Sequence, residues 1–241
     1  MTNIDTLVSL ATDFNAIKAL LTWGKFSITS YQMISSLVKQ GVNPKTVIDI
    51  GANVGQFAVA SANLFKDVQI YAFEPVPETN QQLNKNIATL NNIKSYAIAL
   101  GNEEGEVVFN VNSHSHSSSI LPLAAAHSEA FPDAKEVQKI TVKVTTLDRV
   151  LADIKFTAPT LLKIDAQGYE GNILKGATET LKRVDMVILE GSFKQMYEGE
   201  MLFSDILDLM AAQGFKFSRP VGWLIDPRTD EVLQMDSLFV R

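Results

Sequence analysis

Apolar and polar positions along this chain follow two alternating periods. Residues 46–50, 68–73, 94–98, 160–165 and 184–189 are short apolar runs bounded by glycine, proline or acidic residues, and they read as buried strands. Between them, residues 56–65, 78–90, 170–177 and 202–213 carry apolar side chains at helical spacing, such as Leu83, Ile87 and Leu90. Strand and helix in alternation predict an α/β domain built on a parallel sheet. Residues 106–111 alternate like an exposed ribbon, with residues 139–144 as partner. At the end, residues 214–218 read as a strand, and residues 223–225 and 233–240 as a hairpin across Asp226-Pro227-Arg228-Thr229-Asp230, which gives an antiparallel finish.

Ahead of the first strand, Ile4, Leu7, Leu10, Ala11, Phe14, Ile17 and Leu21 recur as one face of an amphipathic helix. A second helix over residues 30–39 stops at Gly41 and Asn43-Pro44. The division this predicts is a helical extension, residues 1–43, and one α/β domain, residues 44–241. The two helices can pack on the core edge, cap a ligand site or give a homo-oligomer its contact face.

Composition narrows the function classes. The 241 residues carry a formal charge of −6 and no long basic block, which argues against a nucleic-acid partner and for a small or neutral one. Without cysteine there is no disulfide, thiolate zinc site or cysteine nucleophile, a composition compatible with a cytoplasmic protein. No run has the features of a secretory signal or the length of a membrane span, so no membrane partner is expected.

The most informative stretch is Val47-Ile48-Asp49-Ile50-Gly51-Ala52-Asn53-Val54-Gly55-Gln56, which reads as strand, tight turn and helix start. Gly51 permits a sharp turn at the strand end, and Gly55 lets the helix approach a ligand with its amides outward. Glu74, closing the next strand before Pro75, is placed to accept from a ribose diol. A dinucleotide fingerprint needs glycines where Asn53 and Gln56 stand, and no Gly-Lys-Ser/Thr follows to make a phosphate loop. Asp-x-Gly-x-Asn-x-Gly suits a ligand without phosphate, with an ammonium to be held; S-adenosylmethionine has that shape. Another nucleotide, or a purely structural turn, remains compatible with the loop alone.

Three further groups carry chemistry. Asp165 ends the strand before Gly168 and can take a hydroxyl proton, hold an ammonium through water or ligate a divalent cation. Glu170 is explained by the helix dipole, and Glu190 ends a neighbouring strand, so that two carboxylates could share magnesium, although no set of metal ligands is complete. His114 and His116 face the same way in an extended segment and are candidates for a catalytic base, in a Ser/His-rich stretch expected to form a mobile loop over the site. Phe193, Tyr197 and Trp223 are candidate walls of an acceptor site.

Read together, the 47–56 loop, Ala72-Phe73-Glu74-Pro75-Val76-Pro77, Ala99-Leu100-Gly101, Thr146-Leu147-Asp148, Leu162-Lys163-Ile164-Asp165-Ala166-Gln167-Gly168-Tyr169-Glu170 with Leu174-Lys175-Gly176-Ala177, and Leu189-Glu190 resemble the ordered motifs of the FkbM family of S-adenosylmethionine-dependent methyltransferases. The resemblance covers residues 46–217. It implies the Rossmann-like class I fold, a seven-stranded mostly parallel sheet with helices on both faces, and O-methylation of a hydroxyl on a sugar or natural product. It also implies that Asp49, Gly51, Asn53 and Gly55, with Gln56, surround the methionine part of the cofactor. Glu74, beside Pro75, takes the ribose, Ala99 and Leu100 the adenine, and Asp165 the sulfonium, with Ser119 reaching the same ligand. His114 and His116 lie outside those motifs. Two rivals remain at this point: a non-catalytic nucleoside-binding module, and a nicotinamide-dependent oxidoreductase.

Overall fold

The computed structural model of the chain describes residues 13–112, 117–133 and 136–241. Its centre is a seven-stranded sheet made of β1 (Thr46–Ile50), β2 (Gln69–Phe73), β3 (Ile93–Tyr96), β7 (Thr160–Ile164), β8 (Met186–Ser192), β9 (Lys216–Ile225) and β10 (Val232–Val240), in the order β3-β2-β1-β7-β8-β10-β9. Neighbours are parallel from β3 through β8, and β10 runs antiparallel to both β8 and β9. This is the mostly parallel sheet with an antiparallel finish that the sequence predicts. Because the order reverses direction between β1 and β7, the crevice at the carboxyl ends of those strands is where such a sheet takes a ligand.

Helices cover both faces, which is why β1 and β7 are buried along their whole length and read as apolar runs broken only by Asp49 and Lys163. On one face Ile48, Ile50, Leu162, Ile164, Val187 and Leu189 pack against α6 (Leu147–Val150), α7 (Glu170–Lys175), α8 (Thr178–Leu181) and α9 (Phe203–Ala212). The opposite face carries Val47, Ile70, Leu161, Ile188 and Leu238. It meets α2 (Ile28–Lys39), α3 (Gln56–Leu64) and α4 (Pro77–Asn86). Helix α2, capped by the Ser27 hydroxyl, contributes Met33, Ile34 and Leu37 to this second core. Helix α1 (Phe14–Thr22), capped by Asp13, is what is described of the leading amphipathic helix; Ile4, Leu7, Leu10 and Ala11 lie outside the described residues.

The predicted ribbon forms: β5 (Gly105–Asn112) and β6 (Glu136–Thr145) pair antiparallel, and the two-residue β4 (Ala99–Leu100) joins β6 in parallel to make a separate three-stranded sheet. Two expectations are corrected. The strands expected at 214–218 and 223–225 are one continuous β9, since Pro220 lies on the sheet's edge, where a missing N–H costs no ladder bond. Helix α4 ends at Asn86 rather than Leu90: beyond it the Ala88 and Leu90 N–H groups reach back only three residues, to Lys85 and Ile87, and the Asn86 side chain donates to the Val54 carbonyl at 2.7 Å.

Candidate functional site

A cavity of about 370 Å³ opens at the carboxyl ends of β1, β2 and β7, a size ordinary for a small-molecule site. Its wall is built from the turn after β1, from Phe73 to Val76 after β2, from Ile98 to Leu100, and from Lys163 to Gln167. The small sheet adds Phe109 and Val111, and α2 brings Ser27, Thr29, Ser30 and Met33 over it. Of the two N-terminal helices, among the described residues only α2 lines the cavity, and it packs on the core as well, which joins two of the three roles open from the sequence. The lining includes apolar side chains (Phe73, Ile98, Leu100), a carboxylate at Glu74, and polar or charged side chains (Asn53, Gln56, Lys163, Asp165, Asp236).

The loop after β1 earns its glycine. Gly51 has φ +75°, and its N–H and that of Ala52 both donate to the Phe73 carbonyl, at 3.1 and 3.0 Å. Glu74 locks the turn from the other side: the Asn53 N–H donates to its Oε2 at 2.9 Å and the Val76 N–H to its Oε1 at 3.0 Å. Burial nevertheless dominates and pushes the Glu74 carboxyl up to about 7. Each oxygen keeps a lone pair for a further donor.

Of the residues the sequence singled out, Gly51, Asn53, Gln56, Glu74, Pro75, Ala99, Leu100 and Asp165 line this one cavity. Asp49, Gly55 and Ser119 do not. Asp49 is 0% exposed, on the α3-facing side of β1, one residue inside the strand end. Gly55 is the left-handed N-cap of α3 at φ +95°, with the Leu83 methyl 2.7 Å from where a Cβ would lie; backbone conformation, not ligand contact, favours a glycine there. Ser119 is buried behind the wall, donating to the Gln167 carbonyl at 2.6 Å and accepting from the Leu121 N–H. His114 and His116 lie outside the described residues.

Phe193, Tyr197 and Trp223 are corrected as acceptor walls. Phe193 packs on Phe203, and Trp223 is 57% exposed on edge strand β9. Tyr197 is wholly buried, its hydroxyl donating to Gln167 Oε1 at 2.6 Å. Nor is the stretch after the histidines wholly a loop: Ser119 pairs with Asn110, and residues Ala125–Ala130 form α5, which buries His127 between the Phe131 and Tyr197 rings.

What the sequence reading missed is a charged row across the sheet. Asp49 on β1 and Lys163 on β7 are register partners, and both point to the α3 side, as do Val47 and Leu161. One tier further along, Glu190 on β8 and Asp236 on β10 are register partners on the same side. Lys163, 7% exposed, places its Nζ 3.1 Å from Asp165 Oδ2 and 3.5 Å from Asp49 Oδ1, and 5.5 Å from the centre of the Phe57 ring. Burial alone would lower its proton affinity, but the Asp165 and Asp49 carboxylates overcome that and hold it well up. The Gln167 amide nitrogen, in a left-handed residue of φ +54°, bridges Asp165 Oδ1 at 2.6 Å and Glu190 Oε2 at 3.0 Å.

Four carboxyls around this row, Asp49, Glu170, Glu190 and Asp236, are shifted upward. Burial, then the charge of Asp165, pushes Asp236 up to about 6, while Lys163 opposes. Burial raises Glu190 well above the usual range, with Asp165 and Asp236 adding to it. Asp49 is raised by burial against the pull of Lys163. Glu170 rises to about 8 by burial even though it accepts from its own N–H and, at 2.7 Å, from that of Ala166. The dipole reading of Glu170 from sequence therefore leaves out its burial. The magnesium reading of Asp165 with Glu190 meets the Gln167 amide lying between them, and among the described residues no group of three or more His, Cys, Asp or Glu is arranged to hold a metal.

Comparison with known proteins adds the following. The methyltransferase FkbM domain model matches residues 49–217. The 2-O-methyltransferase NoeI of Sinorhizobium fredii is 24% identical over 190 residues, covering 76% of this chain and 77% of that protein. The hexuronic acid methyltransferase AglP of Haloferax volcanii is 24% identical over 159 residues, 66% of this chain and 60% of its own length. Among solved structures, magnesium protoporphyrin IX methyltransferase from Synechocystis with bound SAH superposes with a TM-score of 0.49 at 12% identity, over 99% of this chain and 94% of that one.

Proposed function

Because the chain belongs to the FkbM methyltransferase family, we propose that it moves a methyl group from S-adenosylmethionine to a hydroxyl oxygen of a small, sugar-like acceptor, with Asp165 taking the proton. The observation that supports this best is that Gly51, Glu74 and Asp165, from three separate strand ends, line a single cavity.

The residues present fit the cofactor. Leu100, Ile98 and Phe73 offer an apolar slot for a purine, Glu74 retains lone pairs for two ribose hydroxyls, and Asp165 and Asp236 give negative charge where a sulfonium and an ammonium need it. When bound, S-adenosylmethionine supplies an activated methyl group on a positively charged sulfur. The chain's own part is alignment and exclusion of water, which α2 and the apolar residues Phe109, Val111 and Ile120 accomplish over the cavity mouth. A hydroxyl is a weak nucleophile until its proton leaves, and Asp165, with a third of its side chain open to the cavity, is the carboxylate placed to accept it. The acceptor class follows the relatives, one named a 2-O-methyltransferase and another a hexuronic acid methyltransferase.

Calorimetry with S-adenosylmethionine and S-adenosylhomocysteine, followed by labelled methyl transfer to a panel of glycosides, tests this reading. Binding of both nucleosides with transfer to at least one hydroxylated acceptor supports it. No heat from either nucleoside overturns it, and binding without transfer to any acceptor supports the non-catalytic module in its place.

A further inference from the structure

We propose that Lys163 is a positioning residue of this site: its ammonium, anchored inside the sheet by Asp49, holds the Asp165 carboxylate ionised and turned toward the cavity. The inference rests on the reading of Asp165 as proton acceptor.

Four of the five residues of β7 are what a doubly covered parallel strand requires: Thr160, Leu161, Leu162 and Ile164. Lys163 breaks that pattern at full burial, where an ammonium survives only with partners. Those partners converge from every element around it. Asp49 comes from β1 at 3.5 Å, Asp165 from the end of its own strand at 3.1 Å, and the Phe57 ring from α3 at 5.5 Å. The carboxyls of Glu74 after β2, Glu190 on β8 and Asp236 on β10 complete the charged surroundings. Lys163 is the cation among the described residues that line the cavity.

Removing it takes away the ammonium 3.1 Å from Asp165 and leaves Glu190, Asp236, Glu170 and Asp49 as its acidic neighbours. Carboxyls so crowded and buried share protons rather than ionise together. A protonated Asp165 cannot accept another proton, so the reaction would lose its base. Geometry supports the same role. Lys163 holds Asp165 Oδ2 and the Gln167 amide holds Oδ1, which fixes the carboxylate plane at the cavity wall. Asp49 acts at one remove, by keeping Lys163 in place.

The test uses the full chain, free of ligand, with carboxyl-¹³C aspartate. The Asp165 signal is assigned by its loss in D165N and followed against pH in the wild type, K163M and K163R. In K163M the Asp165 midpoint rises by about one pH unit or more, and K163R restores most of the wild-type value. The acid limb of kcat moves up with it in K163M, whereas a purely structural lysine would lower activity equally at every pH. An Asp165 midpoint unchanged in folded K163M overturns the inference. Should K163M not fold, K163Q decides, since it keeps a polar partner for Asp49 and Asp165 without the charge: an Asp165 midpoint that does not rise in folded K163Q overturns it. Since these titrations need no nucleoside, a failure to bind S-adenosylhomocysteine strikes the proposed function and is read separately.

Discussion

Gly51 and Asp165 meet through their backbones. A Cβ built on Gly51 would lie 1.8 Å from the Asp165 carbonyl oxygen, and the Asp165 N–H donates to the Ile50 carbonyl at 3.1 Å. The turn that shapes the cavity floor and the carboxylate that faces it therefore cannot move independently. Gly51→Ala combines a left-handed residue, worth roughly 1–3 kcal/mol of strain, with a backbone clash. We expect the melting temperature to fall by roughly 5 °C or more, read by calorimetry, and donor binding to weaken with it. A stable variant with unchanged binding would show that the two segments are not coupled.

Asp165→Asn keeps the shape of the side chain and its place beside Gln167 while removing the proton acceptor. Transfer should drop by about a hundredfold or more, while affinity for S-adenosylhomocysteine changes only a few-fold. Retained transfer would mean that the acceptor needs no base.

Glu74 links donor binding to protons. In the free protein it stands at about 7, so below that pH it is largely protonated. Ribose hydroxyls donate to a carboxylate and favour the anion, so binding expels a proton. Affinity should rise with pH and level off above about 7. Calorimetry of S-adenosylhomocysteine in two buffers of different ionisation heat measures that proton. Glu74→Gln should abolish the release and weaken binding about tenfold or more.

Glu170 should make the folded state less stable as pH rises. Its folded value of about 8 lies above the ordinary carboxylate range, so between roughly pH 4.5 and 8 the folded chain holds more protons than the unfolded one. The sign is then loss of stability with increasing pH across that window. Glu170→Gln preserves an oxygen to accept from the Ala166 N–H, and urea melts should show its advantage over the wild type growing from pH 5 toward pH 8. An advantage that does not change with pH would contradict this.

Asp148, in α6, caps the first turn of α8, accepting from the Thr180 N–H at 2.6 Å and the Glu179 N–H at 3.0 Å. Asp148→Ala leaves the first turn of α8 without its acceptor and should cost about 1 kcal/mol in a denaturant melt, with no change in donor affinity.

The class of fold could be read directly from the chain. Runs such as Thr46–Ile50 and Thr160–Ile164 are mostly apolar, interrupted by Asp49 and Lys163, because helices cover both faces of the sheet, and that burial writes itself into local composition. The turn at Gly51 was legible for a similar reason, since a positive φ and a backbone contact exclude other residues at that position. Glu74 was legible from its place at a strand end. Where local signals were ambiguous, the reading failed. Tyr197 and Trp223 look alike as aromatics, yet one is wholly buried on Gln167 and the other stands on an open edge strand.

The sequence by itself determined the alternation of strand and helix, the glycine turn, and the set of acidic residues at strand ends, because each depends on neighbours a few positions away. Only the tertiary structure decided that Asp49 faces Lys163 across β1 and β7, that Glu190 faces Asp236 across β8 and β10, and that α2 closes over the cavity. Those relationships depend on strand order and register, which bring together residues that lie dozens of positions apart or, for Asp49 and Lys163, more than a hundred. Whether a buried charge is ruinous or useful depends on partners of that kind, and no local pattern encodes them.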